Sequence, residues 1–303
     1  MSRTVTAGVD GSSESLAAAD WAAREALLRD LPLRLVHAWE WPPLAYASMA
    51  GLAVGVPETE QQRAGGRRVL EETRERVAQR HPGLRIDTGE IPGQPVPALL
   101  KAAGEADLLV LGSPGLSRVA GYLVGSVALS VLAWSARPVV LVRAGDDERD
   151  ELAAGEPAAD AAPPGDVVLG LDLHKPSGPV IEFAFDAASR RAADLRVVHG
   201  WTLPPYHYGG ALMPEVSAEE ASRVRHELCD VLRPWREKFP AVQVRAQTTV
   251  GGAGAHLVEA SREAALVVVG RQARRGPVGT HIGPVTQAVL HHAAAPVAVV
   301  SHD

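Results

Sequence analysis

Residues 107–115 read DLLVLGSPG, a short apolar run that ends in a turn containing glycine and proline. A run of this length, bounded by turn residues, is typical of a strand that is buried on both faces of a parallel sheet. A matching segment, ALVVVG, stands at residues 265–270. The chain therefore contains this strand-and-turn pattern twice.

Three further segments recur in the same order. They are VTAGVD (5–10) with VVLGLD (167–172), LVHAW (35–39) with VVHGW (197–201), and PVVLV (138–142) with PVAVV (296–300). Recurrence in a constant order indicates an internal duplication. We therefore predict two domains, residues 1–144 and 166–303. The residues between them, 145–165, are acidic, rich in alanine, proline and glycine, and without apolar periodicity, which predicts a flexible linker.

Within each copy, short apolar strands alternate with longer segments of helical period, which indicates βαβ units. In the first copy we predict strands near 4–9, 33–39, 84–90, 107–112 and 138–143, and helices near 14–29, 58–80, 95–105 and 125–136. In the second copy, Phe185 lies on the apolar face of one helix, and Ser217 with Glu220 forms a capping-box pattern ahead of another. The predicted fold class is α/β, with two tandem Rossmann-like domains that each hold a parallel sheet of five strands between helices.

Composition and charge argue against some classes of function. The 303 residues carry a formal net charge of -6 and the pI is about 6.0, so no general basic field exists to hold a nucleic-acid backbone or an acidic membrane surface. The single cysteine, Cys229, fits a reducing compartment. No apolar leader follows Met1, and no apolar run is long enough to cross a bilayer. We expect a cytoplasmic protein whose partners are neither nucleic acid nor membrane.

The turn after the fourth predicted strand has the features of a phosphate-binding loop. Gly112 and Gly115 stand in the turn, and Gly125 with Ser126 opens the next helix. Glycine permits a positive φ and a close approach of a ligand to the backbone, while the free N–H groups of a helix start attract an anion. The Ser126 hydroxyl adds a further donor. Arg118, between the glycines, either reaches the same anion or remains solvated.

Across the predicted site, Asp10 ends the first strand and is followed by Gly11 and Ser12. In an open parallel sheet, ligands bind beyond the carboxyl ends of the strands where the strand order reverses. The Asp10 carboxylate either accepts hydrogen bonds from a ribose or adenine, or caps the following helix. Recurrence of the acid at Asp172 favours ligand binding.

The spacing Gly112-x2-Gly115-x9-Gly125-Ser126, with a strand that ends in Asp10 and a final PVVLV strand, resembles the universal stress protein family. The likeness covers nearly the whole chain, twice. It implies a sheet order of 3-2-1-4-5, binding of ATP with or without Mg2+, and pairing of domains through the last strand. Such pairing would make the chain an intramolecular pseudo-dimer, and further homodimerisation stays open.

The resemblance also implies roles for single residues. Asp10 would meet the adenosine, the Ala38 backbone would face the adenine, and the glycines with Ser126 would hold ribose and phosphates. The implied nucleotide-binding residues of the first copy are Asp10, Gly11, Ser12, Ala38, Gly112, Gly115, Arg118, Gly125, Ser126 and Val127.

The second copy departs from this pattern. Ala273 replaces the second glycine and Pro284 replaces the serine. Proline removes a hydroxyl and a backbone N–H at the helix start, so phosphate binding is expected to be weaker. Arg271, Arg274, Arg275 and His281 either replace the lost donors by side-chain charge or form a solvated basic loop. The implied ligand-binding residues of this copy are Asp172, Gly200, Gly270, Arg271 and Gly283.

Other reactive side chains lack a recognisable catalytic or metal-binding context. His291 and His292 are adjacent on a helix and point in different directions, so we expect surface positions. Cys229 is interpreted as a core residue rather than a nucleophile. His37 and His199 hold equivalent places on the second strand and are interpreted as buried, hydrogen-bonded histidines. No catalytic residue is predicted.

Three functions stay open from the sequence. The first is an ATP-binding regulator in stress response or dormancy, whose occupancy changes a surface that an unidentified protein partner reads. The second is a slow Mg-dependent ATPase or phosphotransferase in which Asp10 positions a water. The third is a structural partner-binding module in which the glycine motif is an inherited turn. Phosphate-holding groups without an evident catalytic base favour the first.

Overall fold

The chain consists of two compact units in a computed structural model. The first unit spans Met1–Glu151 and the second Leu152–Asp303. The structure describes residues 3–39, 57–114, 124–144, 165–201, 214–273 and 282–303. Within these ranges, no helix combines the length and the apolar character that a membrane crossing requires.

The first unit alternates strands and helices along the chain. Its elements are β1 (Val5–Gly8), α1 (Ser13–Arg29), β2 (Leu33–Trp39), α2 (Pro57–Arg80), β3 (Ile86–Pro92), α3 (Pro95–Glu105), β4 (Leu108–Ser113), α4 (Ser126–Trp134) and β5 (Val139–Arg143). The strands pair in parallel in the order β3-β2-β1-β4-β5, which confirms the predicted 3-2-1-4-5 sheet. Gly8 pairs with Val36 on β2 and with Leu111 on β4, so β1 ends between two longer strands at the point where the order reverses.

The second unit repeats this plan. Its elements are β6 (Asp166–Gly170), α5 (Gly178–Arg191), β7 (Leu195–Trp201), α6 (Pro214–Lys238), β8 (Val244–Val250), α7 (Ala253–Ala260), β9 (Ala264–Gln272), α8 (Pro284–His292) and β10 (Val297–His302). The parallel order is β8-β7-β6-β9-β10, again 3-2-1-4-5 within the unit. The predicted apolar face of α5 is confirmed, because Phe185 is fully buried and stacks on Trp235 and Phe239.

Alanine lines the buried side of α1. The buried alanines of this helix are Ala17, Ala18, Ala19, Ala22, Ala23 and Ala26. Because their side chains are small, the helix backbone lies close to the sheet, where α1 contacts β1 and β4. The start of α1 is thereby brought against the end of β4, which shapes the site described below.

The predicted element bounds of the first unit agree with the structure to within two residues; β3, for example, begins at Ile86 rather than near residue 84. The capping-box prediction at Ser217 and Glu220 is wrong as a helix start, because α6 already begins at Pro214 and Ser217 lies inside it. Proline has a fixed φ that suits a first helical turn and needs no N–H acceptor there, so the helix begins earlier than the serine suggested.

Candidate functional site

A cavity of about 430 Å³ opens at the carboxyl edge of the first sheet. The implicated residues that line it are Asp10, Ser12, Ala38, Gly112, Gly125, Ser126 and Val127. Gly11 lies in the adjoining turn, between two of the lining residues. Gly115 and Arg118 lie outside the described residues. Sequence reasoning thus placed most of the described candidates around one cavity.

Asp10 organises the turn between β1 and α1. Its Oδ1 accepts hydrogen bonds from the Ser12 N–H at 3.0 Å and from the Ser12 hydroxyl at 2.6 Å. Ser12, not Asp10, caps α1, because the Ser12 Oγ accepts from the Ser15 N–H at 3.2 Å. Burial alone would raise the pKa of Asp10, but hydrogen bonds from Ser12 and Ser15 outweigh it and hold that pKa below 3.8. An ionised acceptor is therefore held at the cavity wall at neutral pH.

Gly11, Gly112 and Gly125 are under three different constraints. Gly11 has a φ of 87°, in the left-handed region that favours glycine. Gly112 and Gly125 have no positive φ, so that part of the sequence interpretation is wrong for them. A Cβ on Gly112 would lie 2.5 Å from the Glu14 carbonyl carbon, because the start of α1 packs there. A Cβ on Gly125 would meet nothing closer than Pro114 Cδ at 3.9 Å, and so would occupy open space.

Helix α4 begins at the cavity without a side-chain cap. Gly125 is its N-cap residue, in an extended conformation with φ -54° and ψ 143°. Ser126 follows at the first helical position and is exposed. The N–H groups of a first helical turn have no acceptor within the helix and carry a partial positive charge. This arrangement suits an oxyanion such as a phosphate group.

The equivalent histidines of the two units are confirmed as hydrogen-bonded side chains. His37 Nδ1 lies 2.8 Å from the Val9 carbonyl oxygen, and His199 Nδ1 lies 2.8 Å from that of Leu171. A carbonyl oxygen only accepts, so Nδ1 of each ring carries a proton. His199 is buried as expected, whereas His37 is only half-buried.

The second unit has a cavity of about 430 Å³ at the matching edge of its own sheet. Asp172, Gly200, Gly270, Arg271 and Gly283 all line it. Asp172 Oδ1 accepts from the His174 N–H at 2.9 Å, as Asp10 does from Ser12. A Cβ on Gly200 would lie 2.6 Å from the Ala253 nitrogen, so glycine allows α7 to approach β7. A Cβ on Gly283 would meet nothing within 4 Å, like that on Gly125.

Arg271 is a buried arginine of the second cavity. Arg271 is only 4% exposed, and its Nη2 donates a hydrogen bond to Ser301 Oγ at 2.8 Å. Burial lowers the pKa of Arg271, but a guanidinium remains charged in proteins. A solvated basic loop is therefore the wrong interpretation for this residue. Arg274, Arg275 and His281 lie outside the described residues.

Sequence reasoning missed several polar residues of the second cavity. The missed lining residues include His174, Lys175, Ser177, Thr286 and His302. Thr286 Oγ1 donates to the Gly270 carbonyl at 2.9 Å, which ties the start of α8 to β9. One signal was available, since Lys175 is one of only three lysines in the chain and closely follows Asp172.

The remaining candidates lie apart from both cavities. No group of three or more histidine, cysteine or acidic side chains within the described ranges has a geometry that holds a metal ion. His292 is exposed as expected, whereas His291 is half-buried. Cys229 is also half-buried on α6, so it is less enclosed than a core residue.

Each unit is thus a Rossmann-like α/β domain with a ligand-sized cavity at its switch point. A model of the universal stress protein family matches residues 1–143 and again residues 165–301. The chain belongs to the universal stress protein family, with two such domains in tandem.

Relatives and solved structures extend this finding. A universal stress protein of Mycobacterium tuberculosis strain H37Rv is 33% identical over an alignment of 308 residues in length, which covers 97% of this chain and 96% of that protein. A universal stress protein structure from Archaeoglobus fulgidus has a TM-score of 0.70 at 16% identity, covers both chains completely and shows the fold. A universal stress protein solved in complex with cAMP is 32% identical over 48% of this chain and 98% of its own, with a TM-score of 0.34.

Proposed function

We propose that this chain is a cytoplasmic ATP-binding regulator of stress response or dormancy, and that its first unit holds the nucleotide. The observation that carries the proposal is the uncapped start of α4 at an open cavity. There, first-turn N–H groups and the Ser126 hydroxyl offer donors to a polyphosphate. The open space at Gly125 leaves room for phosphate oxygens beside the backbone.

The opposite wall of the first cavity suits the nucleoside. Ionised Asp10, held by Ser12, would accept hydrogen bonds from ribose hydroxyls. Val36 and Leu99 supply apolar surface for the adenine ring beside the Ala38 backbone. The remaining implicated residues, Gly11, Gly115, Arg118 and Val127, complete the proposed site.

Charge in the first cavity supports binding of ATP together with Mg2+. The acidic residues Asp10 and Glu14 both line the cavity. A polyphosphate beside two carboxylates is repelled unless a divalent cation lies between them. Mg2+ is therefore proposed to strengthen ATP binding to this unit.

A regulatory role agrees with the structural hydrogen bonds that the polar side chains of the site make. Two Ser12 donors hold Asp10 Oδ1 in a structural turn, and a backbone carbonyl holds His37 Nδ1. Nucleotide occupancy would instead change the protein surface at the cavity mouth, which a protein partner reads. The second unit, where Pro284 removes a hydroxyl and an N–H, would bind ATP more weakly.

Isothermal titration with ATP and Mg2+ tests the proposal. Gly125→Ala should weaken ATP binding by about tenfold, because the new methyl group occupies space meant for phosphate. Gly104→Ala is the matched control, since a Cβ there also meets nothing within 4 Å but Gly104 lies in α3, away from this cavity. The control should bind ATP as the unaltered chain does.

Three results would overturn the proposal. An unaltered chain that gives no heat and no thermal stabilisation with ATP does not bind it. If the unaltered chain releases phosphate steadily and Gly125→Ala abolishes that release, the protein is a slow ATPase rather than a regulator. If Gly125→Ala and Gly104→Ala bind ATP equally well, the nucleotide lies elsewhere.

A further inference from the structure

The two cavities have the same volume but opposite lining charge. The described lining of the first cavity includes the acidic residues Asp10 and Glu14 and no lysine or arginine. The second cavity carries the cations of Lys175 and Arg271 against the single carboxylate of Asp172. An anion that approaches the second cavity therefore needs no metal ion to offset its charge.

Arg271 is built into the wall of the second cavity. It lies on β9 directly beside Ser301 of β10 and is bonded to that hydroxyl, so its position depends on the sheet rather than on a loop. A guanidinium presents donors in a planar fork that matches the geometry of a phosphate group. The equivalent residue after Gly112 in the first unit is Ser113, which is uncharged.

The Ser177 hydroxyl of the same cavity lacks a hydrogen-bond partner within the part of the chain that the structure describes. Ser177 precedes α5 as its N-cap residue, but its side chain makes no capping hydrogen bond. Its Oγ is buried and has no hydrogen-bond partner among the described residues. Buried hydroxyls are normally paired, so a ligand oxygen in this cavity would satisfy it.

We propose that the second cavity binds a phosphate monoester without a divalent cation. The guanidinium of Arg271, the Lys175 ammonium and the Ser177 hydroxyl would hold the phosphate group. Leu257 and Val285 offer apolar surface for the organic part of the ester. This site uses none of the residues proposed for ATP in the first unit and stands independently of that proposal.

Titration with adenosine monophosphate in the presence of EDTA tests this site, with adenosine and inorganic phosphate as comparison ligands. The unaltered chain should bind the monophosphate in EDTA, and Gly125→Ala should leave that binding unchanged. Arg271→Gln should weaken it at least tenfold, because a charge-assisted contact is lost. Arg262→Gln is the matched control, since Arg262 is exposed and precedes β9 at the opposite end of the strand.

Lys175→Gln and Ser177→Ala keep the test decisive if Arg271→Gln does not fold. Each should weaken monophosphate binding several-fold. The proposal is wrong if adenosine or inorganic phosphate binds as tightly as the monophosphate. It is also wrong if Gly125→Ala abolishes the binding while the second-cavity variants keep it, because the monophosphate then occupies the first cavity.

Discussion

Gly11, Gly112 and Gly125 lie around one cavity, yet a side chain would disturb each position differently. At Gly11 the backbone itself is unfavourable for other residues, at about 1–2 kcal/mol. At Gly112 the added atom would meet the backbone of α1, which cannot rotate away as a side chain can. At Gly125 the added atom meets no protein atom within contact distance. The first two glycines serve the fold, and the third leaves room for a ligand.

Alanine substitutions at the three glycines should differ in their effect on the free energy of unfolding. Gly11→Ala and Gly112→Ala should each lower the free energy of unfolding by about 1–3 kcal/mol, the first through strain and the second through overpacking. Gly125→Ala should leave it unchanged or slightly higher, since φ -54° suits alanine. Urea unfolding in the absence of nucleotide measures all three. A loss for Gly125→Ala as large as that for Gly112→Ala would contradict the assignment.

For single residues, the sequence predicted positions in the fold better than structural roles. Asp10 and Gly112 could be placed at the cavity because each lies within two residues of a strand end that is visible in the apolar pattern. The contact of Gly112 with Glu14 depends on how closely α1 packs, which no local pattern states. The burial of Arg271 likewise depends on its neighbour Ser301 across the sheet, far along the chain.

Helices α1 and α2 are joined by a buried carboxylate. Asp20 on α1 is fully buried, and its Oδ2 lies 2.8 Å from Arg80 Nη1 and 3.5 Å from Arg76 Nε on α2. A charge taken from water is tolerated only when such partners accompany it. Both arginines are partly exposed, so their solvent contact reduces the strength of the pairs.

Asp20→Asn should therefore loosen α2 from α1. The substitution keeps the side-chain shape but leaves two arginines beside an uncharged amide, at a cost of about 2 kcal/mol after allowance for solvent. Peptides of α1 and α2 should exchange amide hydrogen faster, as measured by mass spectrometry. Glu72→Gln, which removes an exposed pair with Arg68 on α2, should leave exchange unchanged. Equal effects of the two variants would show that burial of the pair is irrelevant.

Element bounds were predictable where composition changes sharply. The inner strand β4 and the last strand β5 are short runs of mostly β-branched and aliphatic residues, and β2 matches its predicted range completely. The start of α6 was misplaced because a capping-box pattern and a proline both signal a helix start, and the structure uses the proline. Two valid local signals in competition cannot be ranked without the tertiary packing around them.

Across the whole molecule, the duplication kept the two cores and changed the two cavities. The paired positions Val5 and Val167 are both fully buried in their sheets. The cavity residue Ser126 is replaced by Pro284, and the buried Ser113, which follows the cavity residue Gly112, is replaced by Arg271. Since a core residue is constrained by packing and a lining residue by its ligand, this distribution fits two units that bind different ligands.

The last strand of each unit raises a final prediction. Within its own unit each of β5 and β10 is an edge strand, and their sequences, VVLVR and VAVVSH, begin with four apolar residues. An apolar edge exposes unpaired N–H and C=O groups and tends to recruit another strand. The sequence therefore predicts that the two edges cover each other within one chain.

X-ray scattering should then give a radius of gyration of about 19 Å, that of a compact chain of this length. Separated units with centres roughly 45 Å apart would give about 27 Å. A value near the larger figure that does not change on dilution would contradict intramolecular pairing, whereas a value that falls on dilution would reveal association between chains.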